Sequence, residues 1–228
     1  MIIRLLEYYK IAADQGHSTA QFQVGYCYFY DYGCDKDEDK RLKLMEEKST
    51  DDGIELFTLG EVYHLAGPKH QNFPKALEYY QKTFTGNQQD YSLRDIGLLY
   101  DHGDGVVQNY QAALTYYQKA ANEQNKGGYY NIALVYYNGH GVDKDYDKAV
   151  YQATYISVMN EKWYPNTANS KIRKVYSLES ESFMYGEVDY YLATMFKNGR
   201  GTAIDQDKAA EHLETSISYG SVKAREFK

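Results

Sequence analysis

N-I-A-L-V-Y-Y-N-G-H-G-V-D-K-D-Y-D-K-A, residues 131–149, is the stretch that decides the fold. An apolar run ends in Tyr-x-x-Gly-x-Gly, an acidic turn follows, and Lys-Ala opens a second apolar run. The phrase returns as D-I-G-L-L-Y-D-H-G-D-G-V from Asp95 and as Y-L-A-T-M-F-K-N-G-R-G-T from Tyr191. Self-similarity at a fixed period marks a repeat array, in which each unit buries its apolar face against its neighbours. Two markers give the period. The small residue of the first run falls at Gly25, Gly60, Gly97, Ala133 and Ala193, in steps of 35, 37, 36 and 60. In the second run Arg41, Ala76, Ala113, Ala149 and Ala209 advance by the same steps. The long last step places an insertion between Met159 and Glu187.

Each unit reads as helix, Gly turn, helix. Ala20, Val24, Gly25 and Tyr28 share one face of a 3.6-residue helix, and the small residue lets a partner helix approach closely. The Gly pair ends that helix, because its C-terminal position favours positive φ. Asp39, Asn72, Asn109, Asp145 or Asp147, and Asp205 or Asp207 then stand where a cap of the second helix is needed.

These phrases resemble the Sel-one-like repeat family, relatives of tetratricopeptide repeats. Gly97, Tyr100, Gly103, Gly105, Val106, Ala113, Tyr116, Lys119, Ala120 and Ala121 match its pattern in one unit. Ala133, Tyr136, Gly139, Gly141, Val142, Asp145, Lys148 and Ala149 match it in the next. The pattern departs at A-G-P-K-H (66–70), where the Gly pair is lost, and at Asp31, where the first Gly is absent. The resemblance implies an adaptor or scaffold in protein assembly and no common reaction.

The expected fold is therefore all-α, a right-handed α/α solenoid of about five helix-turn-helix repeats with one insertion. A partial repeat spans 1–18, repeats span 19–53, 54–90, 91–126, 127–158 and 187–219, the insertion spans 159–186, and a further repeat starts at 220–228. Starting and stopping in mid-repeat suits a longer array, or ends that are covered by another protein.

Composition narrows the classes of function. The net charge is −7 with no basic block, which disfavours nucleic acid as a partner and suits neutral or basic peptides. No apolar run approaches the length of a membrane span, and M-I-I-R-L-L-E-Y-Y-K does not read as a signal peptide, so the expected compartment is the cytoplasm. Two cysteines, Cys27 and Cys34, do not make a disulfide framework. Segment 35–46 carries carboxylates at EF-hand positions, but Lys40 stands where the loop needs Gly, and the repeat phase makes 40–48 a helix. Six His residues show no zinc-site spacing, and the Gly phrases follow helices rather than strands, so they are not phosphate loops. No catalytic, metal or cofactor site is expected, and the chain reads as a non-catalytic protein.

Where would a partner bind? Positions −3, +1 and +4 from the small residue point away from the packing face of the first helix. They are Phe22, Tyr26 and Phe29; Phe57, Glu61 and His64; Arg94, Leu98 and Asp101; Tyr130, Leu134 and Tyr137; Tyr190, Thr194 and Lys197. First helices line the concave surface of such solenoids, so this aromatic face is the expected groove for a partner peptide or helix. The alternative is that −3 and +4 pack against neighbouring repeats. With 27 Tyr against 8 Phe, adjacent Tyr pairs should send one ring inward and the other to a rim. The insertion is a second candidate: it holds the only Trp, Trp163, and the basic group Lys171, Arg173 and Lys174. The reading is a protein-interaction scaffold. The alternatives are a regulatory repeat region of a larger enzyme or complex, and a secreted repeat effector.

Overall fold

In a computed structural model, residues 2–29, 38–50, 52–65, 68–83, 89–163 and 178–227 are described. They form helices and connecting turns, with no strand among the described residues. The chain divides into two compact units: one holds Met1–Leu99 and Gly103–Val107, the other Tyr100–His102 and Gln108–Lys228.

The first unit contains α1 (Ile2–Asp14), α2 (Ser18–Phe29), α3 (Glu38–Lys48), α4 (Gly53–Leu65), α5 (Phe73–Lys82) and most of α6 (Gln89–His102). Helices α1 with α2, α2 with α3, and α4 with α5 pack side by side. The second unit contains α7 (Tyr110–Asn122), α8 (Lys126–Asn138), α9 (Tyr146–Trp163), α10 (Leu178–Asn198), α11 (Gln206–Ser218) and the short α12 (Val222–Arg225). There α8 pairs with α9 and α10 with α11, while α10 also touches α9 and α12. The expected insertion is thus helical at both margins: α9 runs on to Trp163, and α10 begins at Leu178 and continues through the repeat's first helix.

The repeat turn has a physical cause at each step. Gly139 ends α8 with φ 74°, its N–H returning to the Val135 carbonyl; a side chain would be strained there. The next helix is then pinned by one recurring bond, from the N–H of its cap to the carbonyl of the Tyr-x-x-Gly aromatic. It runs from Asn109 to Tyr100 at 2.8 Å, from Asp145 to Tyr136 at 3.0 Å, and from Asp205 to Phe196 at 3.0 Å. Asn72 makes the same bond to Tyr63 at 2.8 Å, so the turn that lost its Gly pair still closes in register. Asn72, Asn109, Asp145 and Asp205 each accept the backbone N–H three residues on, the ordinary geometry of a helix cap. Asp39 does not cap. It lies inside the first turn of α3, and its carboxylate binds Lys69 Nζ at 2.7 Å.

Packing follows the phase. A Cβ on Gly60 would fall 2.4 Å from the Tyr80 ring, so only Gly lets α5 approach α4 this closely. Tyr80 and Tyr117 are wholly buried, each removing roughly 2 kcal/mol worth of apolar surface from water. Their neighbours Tyr79 and Tyr116 remain half-buried, so each of these Tyr pairs splits between core and rim.

Candidate partner-binding site

The buried tyrosines need partners for their hydroxyls, and the +4 residues of the first helices provide them. Tyr80 meets His64 Nδ1 at 3.2 Å, and Tyr117 donates to Asp101 at 3.1 Å. His64 is buried, 8% exposed, and Phe22 is wholly buried. Both are therefore core residues, a correction to their expected place on the partner face: the +4 and −3 positions here serve packing. The side chains of Tyr26, Phe29 and Trp163 lie outside the described residues, as do Cys34 and residues 164–177, which hold Lys171, Arg173 and Lys174.

In the first unit the remaining expected residues, Phe57, Glu61 and Arg94, are half-buried. Phe57 packs on Tyr80 with ring centroids 5.8 Å apart. Arg94 Nε donates to buried Asp95 at 2.7 Å. Burial pushes Asp95 up, and Arg94 opposes the rise. Burial likewise works against the charge of Arg94, but Asp95 outweighs it and holds the guanidinium protonated. Burial also pushes Glu61 up to about 7, with Asp95 adding repulsion and Arg94 offsetting part of it. This cluster holds more carboxylates than cations and is largely closed to solvent.

The second unit is different. Tyr130, Leu134 and Tyr137, the −3, +1 and +4 residues of one helix, border a small, partly enclosed depression completed by Ala133, Ala153, Val188, Tyr191 and Met195. Its water-accessible volume is about 10 Å³, room for about one water, so it is not a small-molecule pocket. The cause is a single substitution within the repeat. Ala153 occupies the position that Tyr80 and Tyr117 fill in the two preceding repeats, four residues past the second-helix Ala. With no inward ring there, Tyr137 turns instead to Tyr191, at 5.0 Å, and to Tyr146, at 5.5 Å. Burial raises the pKa of Tyr130 and, against the opposing charge of Lys223, that of Tyr191. The phenols therefore stay neutral donors.

The rim is cationic. Arg200 Nη1 donates to the Tyr137 hydroxyl at 3.1 Å, and its guanidinium lies 5.6 Å from the Tyr146 ring. Lys223 pairs with buried Glu187 and lies over the Tyr191 ring at 5.5 Å. Tyr190 sits beside the depression, edge-on to Tyr191 at 5.6 Å and to Phe227 at 5.7 Å. The sequence reading missed Tyr191, Val188 and Met195. Ala153, small where the other repeats carry Met45, Tyr80, Tyr117 and Leu213, was the available signal.

Among the described residues no group of three or more His, Cys, Asp or Glu side chains could hold a metal ion, and no helix is long and apolar enough to cross a membrane. From Glu38 onward the EF-hand-like segment is helix; its first residues lie outside the described ones.

Comparison with known proteins bears on the same geometry. No curated protein matches the chain in sequence. Among solved structures, a Sel1 repeat protein from Oxalobacter formigenes superimposes with a TM-score of 0.70 at 22% identity, over 99% of this chain and 85% of that one. A putative Sel1 repeat protein from Klebsiella pneumoniae gives 0.54 at 18%, over 97% and 96%. The protective antigen c5321 of uropathogenic Escherichia coli, with an SLR fold, gives 0.56 at 21%, over 96% of this chain and 50% of that one. At these identities the likeness is one of fold, the α/α solenoid. The Sel1 repeat profile itself matches residues 6–17, 18–46, 56–84, 90–125, 127–151 and 187–218, most of the chain. With that coverage, and with the turn bond and caps recurring in phase, the chain belongs to the Sel1 repeat family, whose members generally serve as scaffolds for protein–protein interaction.

Proposed function

We propose that this chain is a non-catalytic scaffold that holds a partner peptide or helix across the first-helix face of its second unit. The observation that carries the reading is that Tyr130, Leu134 and Tyr137 border one small apolar depression with Tyr191. Half-buried tyrosines around a desolvated centre are the usual composition of an interaction hot spot, since each ring offers large contact area at low entropic cost. In the first unit the same register is spent on closing the core, so Glu61 and Arg94 support the scaffold and the second unit meets the partner.

The test is a Tyr130→Ala/Tyr137→Ala double variant, compared with wild type in capture of partners from the host and in thermal melting. Binding should fall at least tenfold, the effect of losing one or two hot-spot rings, while helical content is kept. A variant that keeps its fold and binds partners as well as wild type would sink the proposal.

A further inference from the structure

We propose that the partner segment seated on this depression is acidic: an apolar side chain lies across the seat, and a neighbouring Asp or Glu pairs with Arg200. The inference rests on the reading of the depression as the partner site. It runs against the expectation of neutral or basic partners drawn from the net charge of −7.

The local balance of charge is the reason. The lining residues contribute only phenol hydroxyls as polar side-chain groups, and none is a carboxylate. On one flank Lys223 is already neutralised by Glu187, which is 3% exposed and also accepts from Ser221 at 3.5 Å. On the other flank Arg200 is exposed, and among the described residues its guanidinium contacts the Tyr137 hydroxyl and the Tyr146 ring, with no carboxylate. Two lysines in the first turns of second helices of the same unit are paired, Lys148 with Asp145 at 2.9 Å and Lys208 with Asp205 at 3.7 Å. Arg200 is thus an uncompensated charge beside the seat. One N–H goes to a phenol and the plane lies over a ring, so the side chain is held in place while the rest of its donor fork remains for a ligand. A planar fork of this kind matches a carboxylate in bidentate geometry. A basic segment in the same place would be repelled.

A random displayed-peptide library selected on the full chain tests this, run in parallel on wild type, Arg200→Glu and Tyr130→Ala/Tyr137→Ala. Enriched peptides are then measured by fluorescence polarisation, along with forms carrying Asn or Gln for the acids. Wild type should enrich an apolar residue with Asp or Glu nearby, and the amide forms should bind roughly threefold more weakly at low salt. Arg200→Glu should shift the enrichment to Lys or Arg. If that variant melts early, Arg200→Gln must show the same loss of acidic preference. Peptides that need Tyr130 and Tyr137 but ignore the charge swap would overturn the acidic partner and leave the seat standing. If no enriched peptide depends on Tyr130 and Tyr137, both fall.

Discussion

At the scale of single residues, the second glycine of each Gly-x-Gly has a job distinct from the first. A Cβ on Gly201 would lie 2.3 Å from the Tyr146 carbonyl oxygen, on Gly141 2.4 Å from Tyr110 Cβ, and on Gly105 2.5 Å from Phe73 Cβ. Tyr146, Tyr110 and Phe73 are each the first residue of the second helix one repeat earlier. The glycine therefore sets how closely consecutive repeats stack, and Gly201 meets backbone that has little room to yield. Gly201→Ala should cost about 3 kcal/mol, the sum of a left-handed backbone at φ 68° and an overpacked contact. Gly220, at φ 86° with nothing within 4 Å of where a methyl would stand, isolates the backbone share; its Ala variant should cost about 1 kcal/mol. Urea unfolding of the pair decides the point, for equal losses would mean that the contact with Tyr146 contributes nothing.

At the scale of elements, three repeats carry a stacked pair of rings between their two helices. Tyr63 lies on Tyr79 at 5.8 Å, Tyr100 on Tyr116 at 5.6 Å and Phe196 on His212 at 5.5 Å, all within 8° of parallel. The Lys of Lys-Ala covers the first ring, Lys75 over Tyr63 at 4.7 Å and Lys208 over Phe196 at 5.3 Å. The repeat at 127–158 keeps the ring and the cation, with Lys148 over Tyr136 at 4.9 Å, but places Gln152 where the partner ring belongs. The Oε1 of Gln152 is buried without a hydrogen bond. Gln152→Tyr should restore the stack and remove the orphaned acceptor, raising stability by about 1 kcal/mol in a urea titration. A loss of stability would show that α8 and α9 do not share the register of the stacked pairs. The elements themselves were legible because Tyr-x-x-Gly-x-Gly and Lys-Ala recur at fixed offsets and each names a backbone event. Asp39 does not cap because the sequence that leads into α3 departs from the Gly-x-Gly pattern at Asp31, which puts the cap out of phase with the others.

At the scale of the whole chain, periodicity carries the architecture but not the side-chain environment. Positions −3 and +4 were readable as one face, yet the phase cannot say whether the second helix opposite presents Tyr117 or Ala153. That difference turns Asp101 into a hydroxyl acceptor and Tyr137 into one border of a small depression. Burial also decides the pH response, which composition alone would misjudge. Glu61 is the group to watch, its carboxyl pushed from 4.5 up to about 7 by burial beside Asp95. Because the folded value lies above the unfolded one, the native state holds the proton that the unfolded chain releases between those values. Stability from Glu61 is therefore fully present below about pH 4.5 and is lost as pH rises through about 7. The loss amounts to roughly 3 kcal/mol once both states are ionised. Glu61→Gln, which never ionises, should match wild type near pH 4.5 and exceed it by about that amount at pH 8 in urea midpoints. The exposed carboxylates Asp39 and Asp145 are held below their ordinary value by Lys69 and by Lys148, so they act in the opposite sense, but they are common to both proteins and cancel in the difference. A constant difference between the two proteins across this range would mean that Glu61 stays ionised in the fold, and that Arg94 serves it as well as Asp95.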